Sequence, residues 1–177
     1  MGFTMSNQFK PVKLILLGEP VGKQRPRKSF KLKGLYTPAE TQRYEARVRS
    51  LAIMANKDVD IPLIVDIKAV FGVPKSYGKK KKLECLNGTI PPTKKPDKDN
   101  IEKIILDGLN PLSKVNKETH KRVEVIPGFY LDDKQVVGGE TVKVYGNTPR
   151  VEVTIYPYGM SKEELRNSEV KEYESRQ

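Results

Sequence analysis

Cysteine and histidine are almost absent: the 177 residues contain one of each, Cys85 and His120. A single thiol excludes an intrachain disulfide and any paired-cysteine metal site, and one imidazole cannot supply the paired histidines of most zinc enzymes. Zinc hydrolases and disulfide-rich secreted folds are thereby set aside. Long apolar runs are missing as well. Near the N-terminus the longest is Leu14–Leu17, far short of the ~20 residues that span a bilayer, and the first residues lack the apolar core of a signal peptide. The expected location is therefore the cytoplasm, in association with the nucleoid, with no membrane partner.

What is abundant is positive charge. Lysine and arginine number 33 against 22 aspartates and glutamates, a formal net charge of +11, and the chain is 31% charged and 37% hydrophobic. The length suits one domain over residues 1–177, able to bury about two thirds of its unfolded surface. The charge is uneven: up to Lys98 there are 21 basic and 8 acidic residues, beyond it 12 and 14. The excess gathers in Lys23–Lys33 (Lys23, Arg25, Arg27, Lys28, Lys31 and Lys33) and in Lys75–Lys98, where eight lysines, among them Lys79, Lys80, Lys81, Lys82 and Lys95, meet only Glu84 and Asp97. Pro and Gly flank both stretches, so both read as loops. Such loops neutralise phosphates and release counterions, which makes a polyanion the expected partner. Solvated loops that only maintain solubility are the alternative.

The pattern along the chain predicts an α+β protein. Residues 13–17 form a short buried strand stopped by Gly18 and Pro20. Tyr36-Thr37-Pro38 opens a helix reaching residue 56. Residues 61–73, rich in β-branched side chains and ended by Pro74, make the main strand. Asp99–Asn110 is a second helix with an acidic cap. Residues 111–130 show no period and read as a long loop. Val136–Tyr145 and Arg150–Tyr156 read as the strands of a hairpin turning at Gly146-Asn147. Ser161–Gln177 opens with a capping box, Ser161 and Glu164, but has few apolar residues; it reads as a solvated helix in a charged tail beyond a core of about 14–156.

The most informative stretch runs from Lys95 to Asn110. At 100° per residue, Asp99, Lys103 and Asp107 share one helix face while Ile101, Ile104, Ile105 and Leu109 cluster on the other. Asp97 and Asp99 stand two apart, so an extended entry into the helix projects both carboxylates the same way, where they can share one ion. A helix cap and an Asp99–Lys103 pair are the plain alternative, worth about 0.5–2 and 0.2–0.5 kcal/mol. A second acidic pair, Asp132-Asp133, borders a strand, and hard oxygen donors of this kind suit Mg²⁺, which keeps waters for substrate phosphates. Turn formation is the alternative for Asp132. Two tempting motifs fail. Gly18–Lys23 has three residues between its glycines and Gln24 where a phosphate loop needs Ser or Thr. Asp97–Gly108 lacks the glycine and terminal glutamate of a calcium loop.

Four blocks carry a resemblance that each alone would not: Gly18-Glu-Pro20-Val-Gly-Lys23-Gln-Arg25-Pro26-Arg27; Tyr36-Thr37-Pro38 leading into a helix; Lys95-Pro96-Asp97-Lys98-Asp99-Asn100 with Lys103 and Asp107-Gly-Leu-Asn110; and Leu131-Asp132-Asp133-Lys134-Gln135-Val136. In order and spacing, over roughly residues 14–156, the chain resembles the RusA-type Holliday junction resolvases, often encoded by phages and prophages. The resemblance implies a small mixed β-sheet packed with two or three helices in a tightly packed or intertwined homodimer. It further implies an endonuclease that binds four-way DNA junctions and cuts two opposing strands with Mg²⁺, or Mn²⁺ as substitute. The family's functional positions fall on Asp97, Asp99, Lys103 and Asp133, with Asp107 a further recurring acid and Asp132 a possible addition. Residues 111–128 are longer than the family's usual connection, and the tail after Tyr158 is additional.

On this reading Asp97, Asp99 and Asp133 hold the ion, Lys103 meets the scissile phosphate, and Lys23, Arg25, Arg27, Lys79–Lys82 and Lys95 hold DNA by its backbone. Phe71 and Tyr77 are candidates to stack at an opened junction, although a strand Phe belongs more often to the core. Two rivals stand beside it: a non-catalytic DNA-binding protein whose acids are caps and turns, and a metal-dependent nuclease of flapped or linear DNA.

Overall fold

Alternation of apolar and polar side chains builds the centre of the molecule. A computed structural model describes residues 9–31 and 33–175. β1 (Val12–Leu17), β4 (Leu63–Gly72) and β9 (Arg150–Pro157) each send every second side chain inward. β9 lies between the other two and antiparallel to both. On the far side of β4 run β7 (Val136–Gly138) and β8 (Thr141–Gly146), both parallel to it, and β10 (Lys171–Ser175) adds to β1 in parallel. The result is a mixed six-stranded sheet.

Two helices meet the apolar face of this sheet. α1 (Ala39–Ala55) contributes Tyr44, Val48, Leu51 and Ala52, and α3 (Lys98–Leu109) contributes Ile101, Ile104, Ile105 and Leu109. They form one core with Leu14, Leu16, Leu63, Val65, Ile67, Phe71, Val151, Val153, Ile155, Phe129 and Tyr130. The α3 side chains assigned inward by the 100° rule are all fully buried. Gly108 lets the helices close on each other: a Cβ there would stand 2.6 Å from that of Val48. No helix among the described residues is long and apolar enough to cross a membrane.

The α+β class and mixed sheet agree with the sequence, while several local expectations fail for identifiable reasons. The described residues hold four α-helices rather than two or three, because Lys79–Lys82 open a helix, α2 (Lys79–Leu86), instead of a loop; lysine is a good helix former and buried Cys85 anchors the segment. Residues 111–130 are not a loop but carry a hairpin, β5 (Leu112–Val115) and β6 (Arg122–Ile126). Its turn hides in plain composition: the Asn116 side chain accepts from the backbone N–H of Glu118 and Thr119. Val136–Tyr145 is broken at Gly139, whose φ of +136° and closeness to the Val65 carbonyl exclude any side chain. β8 and β9 do not pair as a hairpin, since β4 lies between them. The capping box at Ser161 and Glu164 forms, but α4 (Lys162–Asn167) ends early, and the segment expected to be a solvated helical tail supplies β10 to the sheet. Edge pairing with β1 overrides its polar composition. On the polar face, Asp66 pairs with Lys162 and accepts from the Tyr156 hydroxyl at 3.0 Å, which pins α4 to the sheet.

Gly108→Ala tests the α1–α3 contact. The added methyl forces the helices apart, with an expected loss of about 1–3 kcal/mol, measured as a lowered denaturant midpoint.

Candidate active site

Helix α3 organises the charged groups by separating them. At its start, Asp97 holds the cap position without making a side-chain cap hydrogen bond, and Asp99 is the second helical residue. Lys98 is already helical, so the extended-entry argument for paired projection does not apply. Both carboxylates are exposed, and among the described residues neither is engaged in a hydrogen bond or ion pair. Lys103, one turn on, is exposed and equally unpaired: the ion pair with Asp99 or Asp107 does not form. Three charges thus stand ready for something outside the chain.

The basic loop between β1 and β2 (Arg27–Ser29) is drawn onto this end. The backbone N–H of Lys23 donates to the Asn100 carbonyl at 2.8 Å. Gly22 permits the approach, because a Cβ there would meet Pro96 at 2.5 Å. Between loop and helix lies an open cleft of about 610 Å³, lined among others by Arg25, Arg27, Lys95, Asp97 and Asn100. Arg25, Arg27 and Lys95 are exposed. Lys23, expected to contact DNA, turns its ammonium inward, to Asp107 at 2.7 Å and to Glu45. Burial disfavours its charge, but hydrogen bonds to Asp107 and Glu45 outweigh that and hold its pKa above the ordinary lysine value.

Lys79–Lys82 stand apart from this cleft, on α2, where the Lys81 ammonium covers the Tyr77 ring at 3.8 Å. Phe71 is buried, with the Lys94 and Lys143 ammoniums 5.4 and 5.2 Å from its ring centre, so it is core rather than a stacking platform.

Asp133 sits at the opposite end of α3. Its carboxylate accepts from the Asn110 amide at 3.2 Å, just past the last helical turn. The neighbouring residues fix it there. Asp132 spends its carboxylate as a cap, accepting from the Lys134 N–H at 2.9 Å. Gln135 accepts from the N–H groups of Leu131 and Asp132 and donates to the carbonyls of Val59 and Ile61. The buried Tyr130 hydroxyl donates to the Leu106 carbonyl at 2.7 Å; burial first, then the charges of Asp133, Asp107 and Asp132, push its pKa up. Arg49, itself buried, donates to the carbonyls of Asp107 and Asn110 and so caps the helix end.

Thirteen residues of helical rise separate Asp97 from Asn110, about 20 Å. One chain therefore holds Asp97 and Asp99 at the start of α3, and Asp107, Asp132 and Asp133 toward its other end. Among the described residues no three His, Cys, Asp or Glu side chains are grouped to hold one ion. The donors at the helix start nonetheless suit a hard divalent cation: two unengaged carboxylates facing water match the sparse protein ligation that Mg²⁺ prefers beside substrate phosphates.

Comparison with known proteins gives this geometry a context. A sequence model described as Endodeoxyribonuclease RusA matches residues 18–119. That span covers the basic loop, the cleft, α1 and the whole of α3. The chain belongs to the RusA endodeoxyribonuclease family. It is also 34% identical over 150 residues, 81% of its length and 94% of the relative's, to Uncharacterized protein YqaN of Bacillus subtilis (strain 168). This RusA-family protein is accordingly a hydrolase that cuts DNA within the strand, in a family of Holliday junction resolvases.

Sequence reasoning did not single out Glu45, Arg49 or the anchoring role of Gln135. Glu45 and Arg49 lie in an ordinary helix pattern and acquire meaning only through contacts tens of residues away. Gln135 did carry a signal, since it completes a capping box with Asp132.

Lys23→Met leaves Glu45 and Asp107 without their shared cation, with an expected cost of about 1–2 kcal/mol at neutral pH. A raised folded pKa means the contribution is fully present below the unfolded lysine value and fades as pH climbs through the folded one. The difference between wild type and variant in denaturant midpoint is expected to be constant from neutral pH to about pH 10 and to shrink above pH 10.5.

Proposed function

We propose that this protein resolves four-way DNA junctions by paired symmetric cleavage, acting as a Mg²⁺-dependent homodimer. Each active site combines Asp97, Asp99 and Lys103 of one chain with Asp133 of the partner subunit. The observation that carries this reading is the placement of the acids at opposite ends of α3. A rigid helix does not fold its ends together, whereas a two-fold axis crossing the middle of α3 brings the start of one helix to the end of the other. Both sites then form at once, about one helix length apart, and a two-fold protein meets a two-fold substrate.

Within each site the residues divide the work by charge. Asp97, Asp99 and Asp133 concentrate negative charge that repels DNA until a cation neutralises it. When bound, Mg²⁺ or Mn²⁺ offsets charge on the phosphoryl oxygens and eases deprotonation of the attacking water. Lys103, unpaired on the exposed face of α3, supplies positive charge to the same phosphate as it becomes more anionic. Arg25, Arg27 and Lys95 along the cleft guide the strand to Asp97 by phosphate contacts, and Lys79–Lys82 on α2 hold a duplex arm farther out. Asp107 serves by holding Lys23, which ties the basic loop to α3.

Cleavage of a labelled four-way junction tests the proposal. With Mg²⁺ the expected products are paired nicks in opposing strands. Asp97→Asn and Asp133→Asn each reduce cutting by 10²-fold or more while retaining junction binding. Preference for a flap or plain duplex, or unchanged cutting by either variant, contradicts it.

A further inference from the structure

Two hairpins of this chain stand clear of the core, one rooted at each end of α3. The first joins β2 and β3 (Gly34–Tyr36), beside the cleft that holds Asp97. It exposes Phe30 completely and Leu35 to 68%, and a hollow of about 400 Å³ opens between Phe30 and Tyr36. The second is β5–β6, which leaves the helix end at Leu109 and returns to the Asp133 turn. It exposes Leu112, Val115, Val123 and Val125, each by more than a third. Neither hairpin packs substantially on another helix or strand.

A two-stranded hairpin with its apolar side chains in water is marginal, yet the root of β5–β6 is firmly built. Phe129 is buried and its N–H donates to the Leu109 carbonyl at 2.9 Å. At Gly128 the two strands of the root approach so closely that a Cβ would stand 2.5 Å from the same carbonyl. The arm is aimed, and its apolar surface calls for a protein neighbour rather than phosphate.

Resting on the composite site proposed above, the geometry points to a second copy of this chain as that neighbour: we infer that β5–β6 of each subunit docks on β2–β3 of the other. Antiparallel apposition of two α3 helices sets the C-terminal end of one beside the N-terminal end of the other. The same symmetry that carries Asp133 to Asp97 carries the β5–β6 arm to the hairpin beside Asp97. Each dimer gains the contact twice, and each exposed apolar strand pair gains a cover. The arms reach across the interface next to both sites, so the long connection after α3 acts as a clasp on the active dimer.

The test is a chain carrying Val123→Cys and Leu35→Cys, both exposed, against a background whose own Cys85 is buried. A short bismaleimide is expected to yield covalent dimer on denaturing gels from the double variant and none from either single variant. In a second variant, residues 113–125 are replaced by a short Gly-Ser turn; its dimer dissociation constant, from sedimentation, is expected to rise at least tenfold. A double variant that sediments as a dimer and cuts junctions without crosslinking, or a shortened arm that leaves dimerisation unchanged, overturns the clasp and spares the composite site. A chain that is monomeric at concentrations where it cuts junctions overturns both.

Discussion

The stiffness of one helix governs this protein. An α-helix rises 1.5 Å per residue and resists bending, so α3 keeps the carboxylates at its two ends apart whatever their side chains do. Asp97 and Asp99 mark one end and Asp133 the other. Local flexibility offers no remedy, because the Asp133 turn is fixed by Gln135 and the helix end by Arg49. On the proposed reading, nuclease chemistry that needs these acids together draws them from two chains, which ties the activity to assembly.

Much of the remaining fold serves to hold α3 in place. Its apolar face is sealed by α1 and the sheet, with Gly108 setting the closeness of the crossing. Lys23 reaches from the basic loop to Asp107 and Glu45, so the segment carrying Arg25 and Arg27 moves with the helix. The loop lining the cationic cleft is consequently tied to α3. On the proposed reading, phosphate contacts in the cleft position a strand relative to Asp97 without reading bases.

The sequence revealed what depends on local chemistry. The α3 amphipathic pattern identified its buried isoleucines and its charged face, and the order of the four motif blocks indicated the family. It missed what depends on distance. The carboxylates of Asp97 and Asp99, read as ligands of one ion with a helix cap and an Asp99–Lys103 pair as the alternative, make neither a cap hydrogen bond nor an ion pair. Lys23 looked like a DNA contact because its two acidic neighbours are 22 and 84 residues away. The β5–β6 hairpin was missed, although Arg122–Ile126 alternates polar and apolar residues, because its strands are short and gain almost no burial within the chain. β10 was misread as helix because parallel pairing at a sheet edge leaves little trace in composition.

The most direct test of the account mixes two inactive proteins. Asp97→Asn and Asp133→Asn chains, each inactive alone, are combined under conditions that exchange subunits. If each site draws on both chains, the mixed dimer has one site with both substitutions and one with neither. The account then predicts recovered nicking of a single junction strand without the opposing cut. If all the acids of a site come from one chain, both sites of the mixed dimer stay damaged, and a mixture as inactive as its components would contradict the account.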